Sequence, residues 1–228
     1  MRNIKNIDRL IVALDVPTVE QAYEIVSKLE DSVTFYKIGL ELFTARGIYE
    51  FIQDLNRLNK QVFIDLKLYD IPTTVSKAIK NLKKFNPTFA TVHACNENVV
   101  KAATSVDCNI GILGVTVLTS EKPNSQEDHL ICVRTNIARK LGAVGVISSG
   151  NNIKIIRKIC GEDLLIICPG IRNADAPQND QSRAISAQQA FSMGADYIVV
   201  GRPIIQSENP KQSALDIQSQ IIKGLNEN

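Results

Sequence analysis

No apolar run in this 228-residue chain is longer than five residues, the two longest being Leu10 to Leu14 and Leu164 to Cys168. A helix that crosses a bilayer needs roughly 20, so the sequence predicts no membrane span. The first ten residues also lack the apolar core of a signal peptide, since charges alternate there with apolar side chains, and the expected location is the cytoplasm. Cysteine is sparse and poorly spaced. The five (Cys95, Cys108, Cys132, Cys160 and Cys168) are odd in number and never form CxxC. That argues against a disulfide framework and a zinc site, and they read as reduced thiols, mostly in the core. His93 and His129 are the only histidines and have no metal-ligand spacing, so no metal is expected. Neither sign of charge dominates, because 26 Lys and Arg stand against 24 Asp and Glu. The resulting +2 provides no general field for nucleic acid.

What remains is an ordinary globular composition, 44% hydrophobic and 22% charged, with a strong internal rhythm. Eight short β-branched apolar runs recur: Leu10 to Asp15, Thr34 to Gly39, Gln61 to Lys67, Phe89 to Ala94, Asn109 to Val117, Gly145 to Ser148, Leu164 to Cys168 and Asp196 to Gly201. Such near-continuous Val, Ile and Leu is the pattern of parallel strands covered on both faces. Amphipathic stretches lie between them, at Glu20 to Lys28 with Thr18 as N-cap, Glu50 to Leu58, Val75 to Lys84, Glu127 to Lys140, Ile153 to Ile159, Ala187 to Met193 and Ala214 to Leu225. Strand followed by helix without an intervening linker predicts one (β/α)8 barrel domain over residues 1–228. An open doubly wound sheet would want GxGxxG after the first strand, where this chain has Ala13-Leu14-Asp15-Val16-Pro17. The segment Ile171 to Arg183 is the longest structureless candidate, of a length that is usually a functional lid or a disordered loop.

Barrels of this kind build their active sites at the carboxyl ends of the strands. Here those ends carry Asp15, Lys37, Asp65, Lys67, His93, Thr116, Ser148, Ser149 and Gly201-Arg202. Buried ions cost several kcal/mol unless paired, so partners are expected for the charged ones. Asp65 and Lys67 are two apart on one strand and project to the same face, with Asp70 just beyond. A DxKxxD arrangement holds a lysine charged and fixed between carboxylates. The bland alternatives are a structural ion pair, Asp70 as a turn residue before Pro72, and Asp15 as a loop cap before Pro17. His93 reads as a satisfied strand-end histidine.

With these residues in place, the chain resembles the orotidine 5'-monophosphate decarboxylases. The likeness rests on Ala13-Leu14-Asp15, Tyr36-Lys37-Ile38-Gly39, the run around Lys67, Val92-His93-Ala94, Val115 to Ser120, Pro169-Gly170-Ile171-Arg172 and Val200-Gly201-Arg202-Pro203, in order along nearly the whole chain. The resemblance implies a dimeric (β/α)8 barrel that removes CO2 from pyrimidine C6 without a cofactor. It makes Lys67 the proton donor, with Asp65 beside the substrate carboxylate and Lys37 joining the charged network near the ribose. Asp15 would take a ribose hydroxyl. Asp70, Ile71 and Thr74 would serve the partner subunit's site, and Thr119 the pyrimidine. Gln181 and Arg202 would hold the phosphate, with Arg172 near the lid base and Gly201 giving backbone access. One well-placed donor is typically worth about 3 to 4 kcal/mol, against roughly 8 to 23 kcal/mol for a whole enzyme. Phosphate binding energy would therefore close the loop and hold the array.

Some residues depart from the family pattern. Asn179-Asp180-Gln181-Ser182-Arg183 replaces a Gly-Asp-Gln run, which makes Gln178 a rival for the phosphate. Ser186-Ala187 stands where proline is common, and Cys95 where a smaller or hydroxyl residue is usual. Two other readings stay open. Related magnesium-dependent sugar-phosphate enzymes, such as 3-keto-gulonate 6-phosphate decarboxylase, have an acidic residue where Lys37 sits. A noncatalytic nucleotide-binding barrel would have no evident need of the Asp65, Lys67 and Asp70 array.

Overall fold

The computed structural model describes residues 4–118, 126–172 and 185–227. Among them, eight parallel strands close into a barrel, each pairing with the next in chain order and the last returning to the first. The strands are β1 Leu10–Ala13, β2 Phe35–Gly39, β3 Gln61–Leu68, β4 Phe89–His93, β5 Gly111–Val115, β6 Gly145–Ile147, β7 Leu165–Pro169 and β8 Tyr197–Val200. The principal helices after them are α1 Val19–Leu29, α2 Ile48–Arg57, α3 Pro72–Leu82, α4 Glu97–Thr104, α5 Glu127–Lys140, α6 Ile153–Cys160, α7 Ala187–Ser192 and α8 Pro210–Asn226. This is the (β/α)8 barrel that the rhythm of the sequence predicts.

Local chemistry accounts for the helix starts. The Thr18 hydroxyl accepts from the Gln21 amide at 3.3 Å and caps α1, while Ser186 and Gln189 form a reciprocal capping box at α7. Ser186 thus starts α7 with no proline in its first turn. The periodicity left out α4, whose start is marked by Asn96: its side chain accepts from the amides of Asn98 and Val99. Strand ends differ from expectation by a few residues at most, the largest change being β5, which is two residues shorter at each end than the apolar run.

Two apolar layers follow from the alternation of side chains along each strand. Leu10, Val12, Tyr36, Ile38, Val62 and Ile64 face the surrounding helices. Ile11, Ala13, Phe35, Phe63, Phe89, Leu113, Val115, Ile147, Ile167, Tyr197 and Val199 fill the barrel itself. Four of the latter are aromatic, and Phe35, Phe63, Phe89 and Tyr197 pack with ring centroids 5.6–6.2 Å apart. They plug the barrel below its carboxyl end with an apolar floor. Among the described residues no helix is long and apolar enough to cross a membrane.

Candidate active site

Continuing the inward-facing positions of each strand leads from that apolar floor into charge. Ile11 and Ala13 are followed by Asp15, Phe35 by Lys37, Phe63 by Asp65 and Lys67, and Phe89 by Thr91 and His93. The Lys37 ammonium lies 3.0 Å from Asp15 Oδ1 and 3.7 Å from Asp65 Oδ2. Lys67 Nζ donates to the same Asp65 Oδ2 at 2.8 Å. Lys37 and Asp65 are buried, whereas Asp15 and Lys67 reach toward solvent. The pairing expected of these ions is therefore present, and Asp15 joins the network instead of merely capping its loop.

The β3 backbone is broken at the lysine. Ile64 pairs with Ala90 and Leu68 with Val92, so β3 advances four residues while β4 advances two. Within this bulge Lys67 takes a left-handed φ of 49°. For a residue with a side chain this costs of order 1–3 kcal/mol, and bulges beside active sites re-aim side chains in this way. The displaced Lys67 amide donates to the Thr91 hydroxyl at 2.9 Å, and Thr91 Oγ1 lies 2.9 Å from Asp65 Oδ1. Nothing in the sequence pattern had marked Thr91.

Two adjoining cavities open above this array. One, of about 180 Å³, has apolar walls of Phe63, Val115, Val117, Leu118 and Ile147, with Lys37, Asp65 and Lys67 on its charged side. The other, of about 170 Å³, is more polar and is lined by Asp15, Lys37, Gly170, Arg172, Gly201 and Arg202. Lys37, Pro169 and Val199 border both. The arrangement suits a ligand with a flat, weakly polar portion against the lysines and an anionic portion toward the arginines.

Three predicted residues lie outside this array within the chain. Asp70, Ile71 and Thr74 are exposed. The Asp70 carboxylate accepts from the following Ile71 amide at 2.6 Å, at the turn into α3. Thr119, Gln181 and the rival Gln178 fall outside the described residues. His93 packs edge-on to Tyr69, with ring centroids 5.7 Å apart. Among the described residues no group of three or more His, Cys, Asp or Glu could hold a metal ion.

Comparison with known proteins agrees with this geometry. The model of the Orotidine 5'-phosphate decarboxylase / HUMPS family matches residues 8–217. An orotidine 5'-phosphate decarboxylase of Methylococcus capsulatus is 41% identical over 223 residues, covering 94% of this chain and 92% of that protein. One from Afipia carboxidovorans is 42% identical over 224 residues, covering 94% of each. The crystal structure of orotidine 5'-phosphate decarboxylase from Lactobacillus acidophilus superposes with a TM-score of 0.81 at 33% identity, over 94% of this chain and 99% of that one. That from Pyrococcus horikoshii gives 0.76 at 27% identity, over 93% and 99%. The chain thus belongs to the Orotidine 5'-phosphate decarboxylase / HUMPS family, and within it to the carboxy-lyases.

Proposed function

We propose that the chain converts orotidine 5'-monophosphate to uridine 5'-monophosphate in pyrimidine nucleotide biosynthesis, with Lys67 as the proton donor. The observation that carries this reading is the Lys67 ammonium, 2.8 Å from Asp65 beside an apolar cavity. The C6–carboxylate bond breaks with its electron pair left on C6, and CO2 departs. That pair lies in the plane of the ring and cannot delocalise into it, so a nearby cation must stabilise it. Lys67 does so, transfers a proton to form the C6–H bond, and regains a proton from solvent. An ammonium fixed beforehand in a water-poor site is more effective than one that must reorganise.

Asp65 faces the position of the departing carboxylate and is held by two lysines, which keeps it in place while it repels that group. Lys37 and Asp15 lie toward the polar cavity and suit the ribose hydroxyls. Arg202 and Arg172 suit the phosphate, whose binding energy is available to close the loop at 171–183. Gln181 and Thr119 complete the phosphate and pyrimidine contacts in this reading, and Gly201 gives the phosphate access to backbone. Asp70, Ile71 and Thr74 project outward, as residues lent to a second subunit of a homodimer would.

The magnesium-dependent alternative is disfavoured by Lys37. Its ammonium lies 3.0 Å from the Asp15 carboxylate and 3.7 Å from that of Asp65, and so already neutralises carboxylates that a divalent cation would use. The test is the ultraviolet absorbance change when purified protein meets orotidine 5'-monophosphate in excess chelator. Turnover is expected; activity that chelation abolishes and magnesium restores would overturn the metal-independent reading.

A further inference from the structure

We propose that Thr91 is a positioning residue for the decarboxylation, acting through Asp65 and Lys67 without touching substrate; this rests on the function proposed above. Thr91 is 1% exposed and lines neither cavity. Its hydroxyl nevertheless meets both members of the reacting pair.

Chemistry fixes the direction of each contact. A backbone amide can only donate, so Thr91 Oγ1 accepts from the Lys67 N–H at 2.9 Å. The single hydroxyl proton is then left for Asp65 Oδ1, 2.9 Å away. With Oδ1 engaged, Oδ2 is the oxygen that meets the ammonium groups, at 2.8 Å from Lys67 and 3.7 Å from Lys37. One side chain thereby anchors the lysine main chain and orients the carboxylate that aims its ammonium.

The bulge makes this contact necessary. In an unbroken strand the Lys67 amide would face β2, as that of Gln61 does, but β2 pairs no further than Asp65, and the two extra residues of β3 turn the amide toward β4 instead. A buried amide without an acceptor is costly. Thr91, inward-facing on β4 beside the break, supplies the acceptor, and its β-branched side chain has few rotamers in which to wander. The left-handed turn that brings Lys67 to the cavity wall is held from behind.

The test compares wild type, Thr91→Val and Thr91→Ser in steady-state turnover of orotidine 5'-monophosphate, with uridine 5'-monophosphate binding measured by calorimetry. Valine keeps the shape and removes both hydrogen bonds, while serine keeps the hydroxyl. Thr91→Val is expected to lower kcat by about 100-fold, the order of effect of a small misplacement of reacting groups. Its KM and its affinity for uridine 5'-monophosphate should stay within about threefold of wild type, since Thr91 makes no ligand contact. Thr91→Ser should restore kcat to within about threefold. Should Thr91→Val fail to fold, Thr91→Ala against Thr91→Ser poses the same question. An unchanged kcat without the hydroxyl, or an equal loss in the serine variant, overturns the role of Thr91. Failure of the wild-type protein to decarboxylate the nucleotide overturns the function itself, and the role of Thr91 with it.

Discussion

A Cβ placed on Gly39 would stand 3.1 Å from the Lys37 ammonium and 3.4 Å from Asp15 Oδ1. The empty side of this glycine is therefore part of the space in which the ion pair forms. Lys37 has little freedom to yield, because carboxylates hold its ammonium at 3.0 and 3.7 Å. Gly39→Ala should lower kcat/KM by about tenfold or more through displacement of Lys37. The melting temperature should fall by only a few degrees, as the backbone of Gly39 is extended and tolerates a side chain. Wild-type kinetics in the alanine variant would show that the lysine can move without consequence.

The left-handed backbone of Lys67 yields a second prediction, in which stability and activity separate. Lys67→Ala and Lys67→Gly both remove the proposed proton donor, and both should lose decarboxylation while retaining the barrel. They also lose the same ion pair with Asp65, so comparing them isolates the backbone. Glycine adopts positive φ without the steric penalty carried by alanine. Lys67→Gly should consequently be the more stable by about 1 kcal/mol, despite the usual entropic cost of glycine. Denaturant titration of the two variants reads this directly, and the opposite order would contradict the φ of 49°.

The strand rhythm was legible because each apolar run, such as Leu164 to Cys168, is buried on both faces and is written in Val, Ile and Leu. Asp15, Lys37, Asp65 and Lys67 could be gathered for a related reason: they interrupt or end apolar strands, and period-two alternation places them on the inner face. Helix α4 was missed because it has only eight residues and its buried side is limited to Val99, Val100 and Ala103. Neither the bulge nor Thr91 leaves a local signature. The left-handed lysine results from a register change between two strands, and a threonine on β4 becomes its partner only after that change. Asp70 was legible as part of a motif, but the fold of one chain leaves it outside the array.

At the proposed phosphate end, Arg202 and Arg172 line the polar cavity, which Lys67 does not line. Arg202→Ala should lower kcat/KM for orotidine 5'-monophosphate by about 100-fold, of the order lost with a hydrogen bond to a charged group. Turnover of phosphate-free orotidine should hardly change, because binding energy at a nonreacting group is all that is removed. If both substrates lose rate equally, Arg202 acts on the array and not on the phosphate.

Thiol chemistry offers a check on the barrel that is independent of catalysis. Burial inside β7 pushes the Cys168 thiol up to about 12, and burial likewise raises Cys160 at the end of α6. Because the thiolate is the reactive form, about one Cys168 in 10,000 would be ionised at pH 8 even if reagent could reach it. Cys95 is exposed just after β4. Iodoacetamide on the native protein should modify Cys95 first, leaving Cys168 and Cys160 untouched until denaturant is added. Peptide mass spectrometry gives the order, and rapid native labelling of Cys168 would be incompatible with its place in the sheet.

The proposed homodimer can be tested through Asp70, which among the described residues of one chain accepts a hydrogen bond from the Ile71 amide. If it serves the partner subunit, each site combines Lys67 of one chain with Asp70 of the other. Asp70→Asn is the suitable variant, because its side-chain oxygen can still accept from Ile71 while the charge is lost. Lys67→Ala and Asp70→Asn homodimers should each be nearly inactive. On mixing with subunit exchange, every heterodimer has one site with both residues intact and one with neither. Random pairing of equal amounts makes about half of all dimers mixed, so roughly a quarter of wild-type activity should return. A site confined to one chain gives no recovery, since no chain then carries both residues. Tagged subunits establish that exchange has occurred; activity that still stays at the level of the separate variants would mean that the array closes within a single barrel.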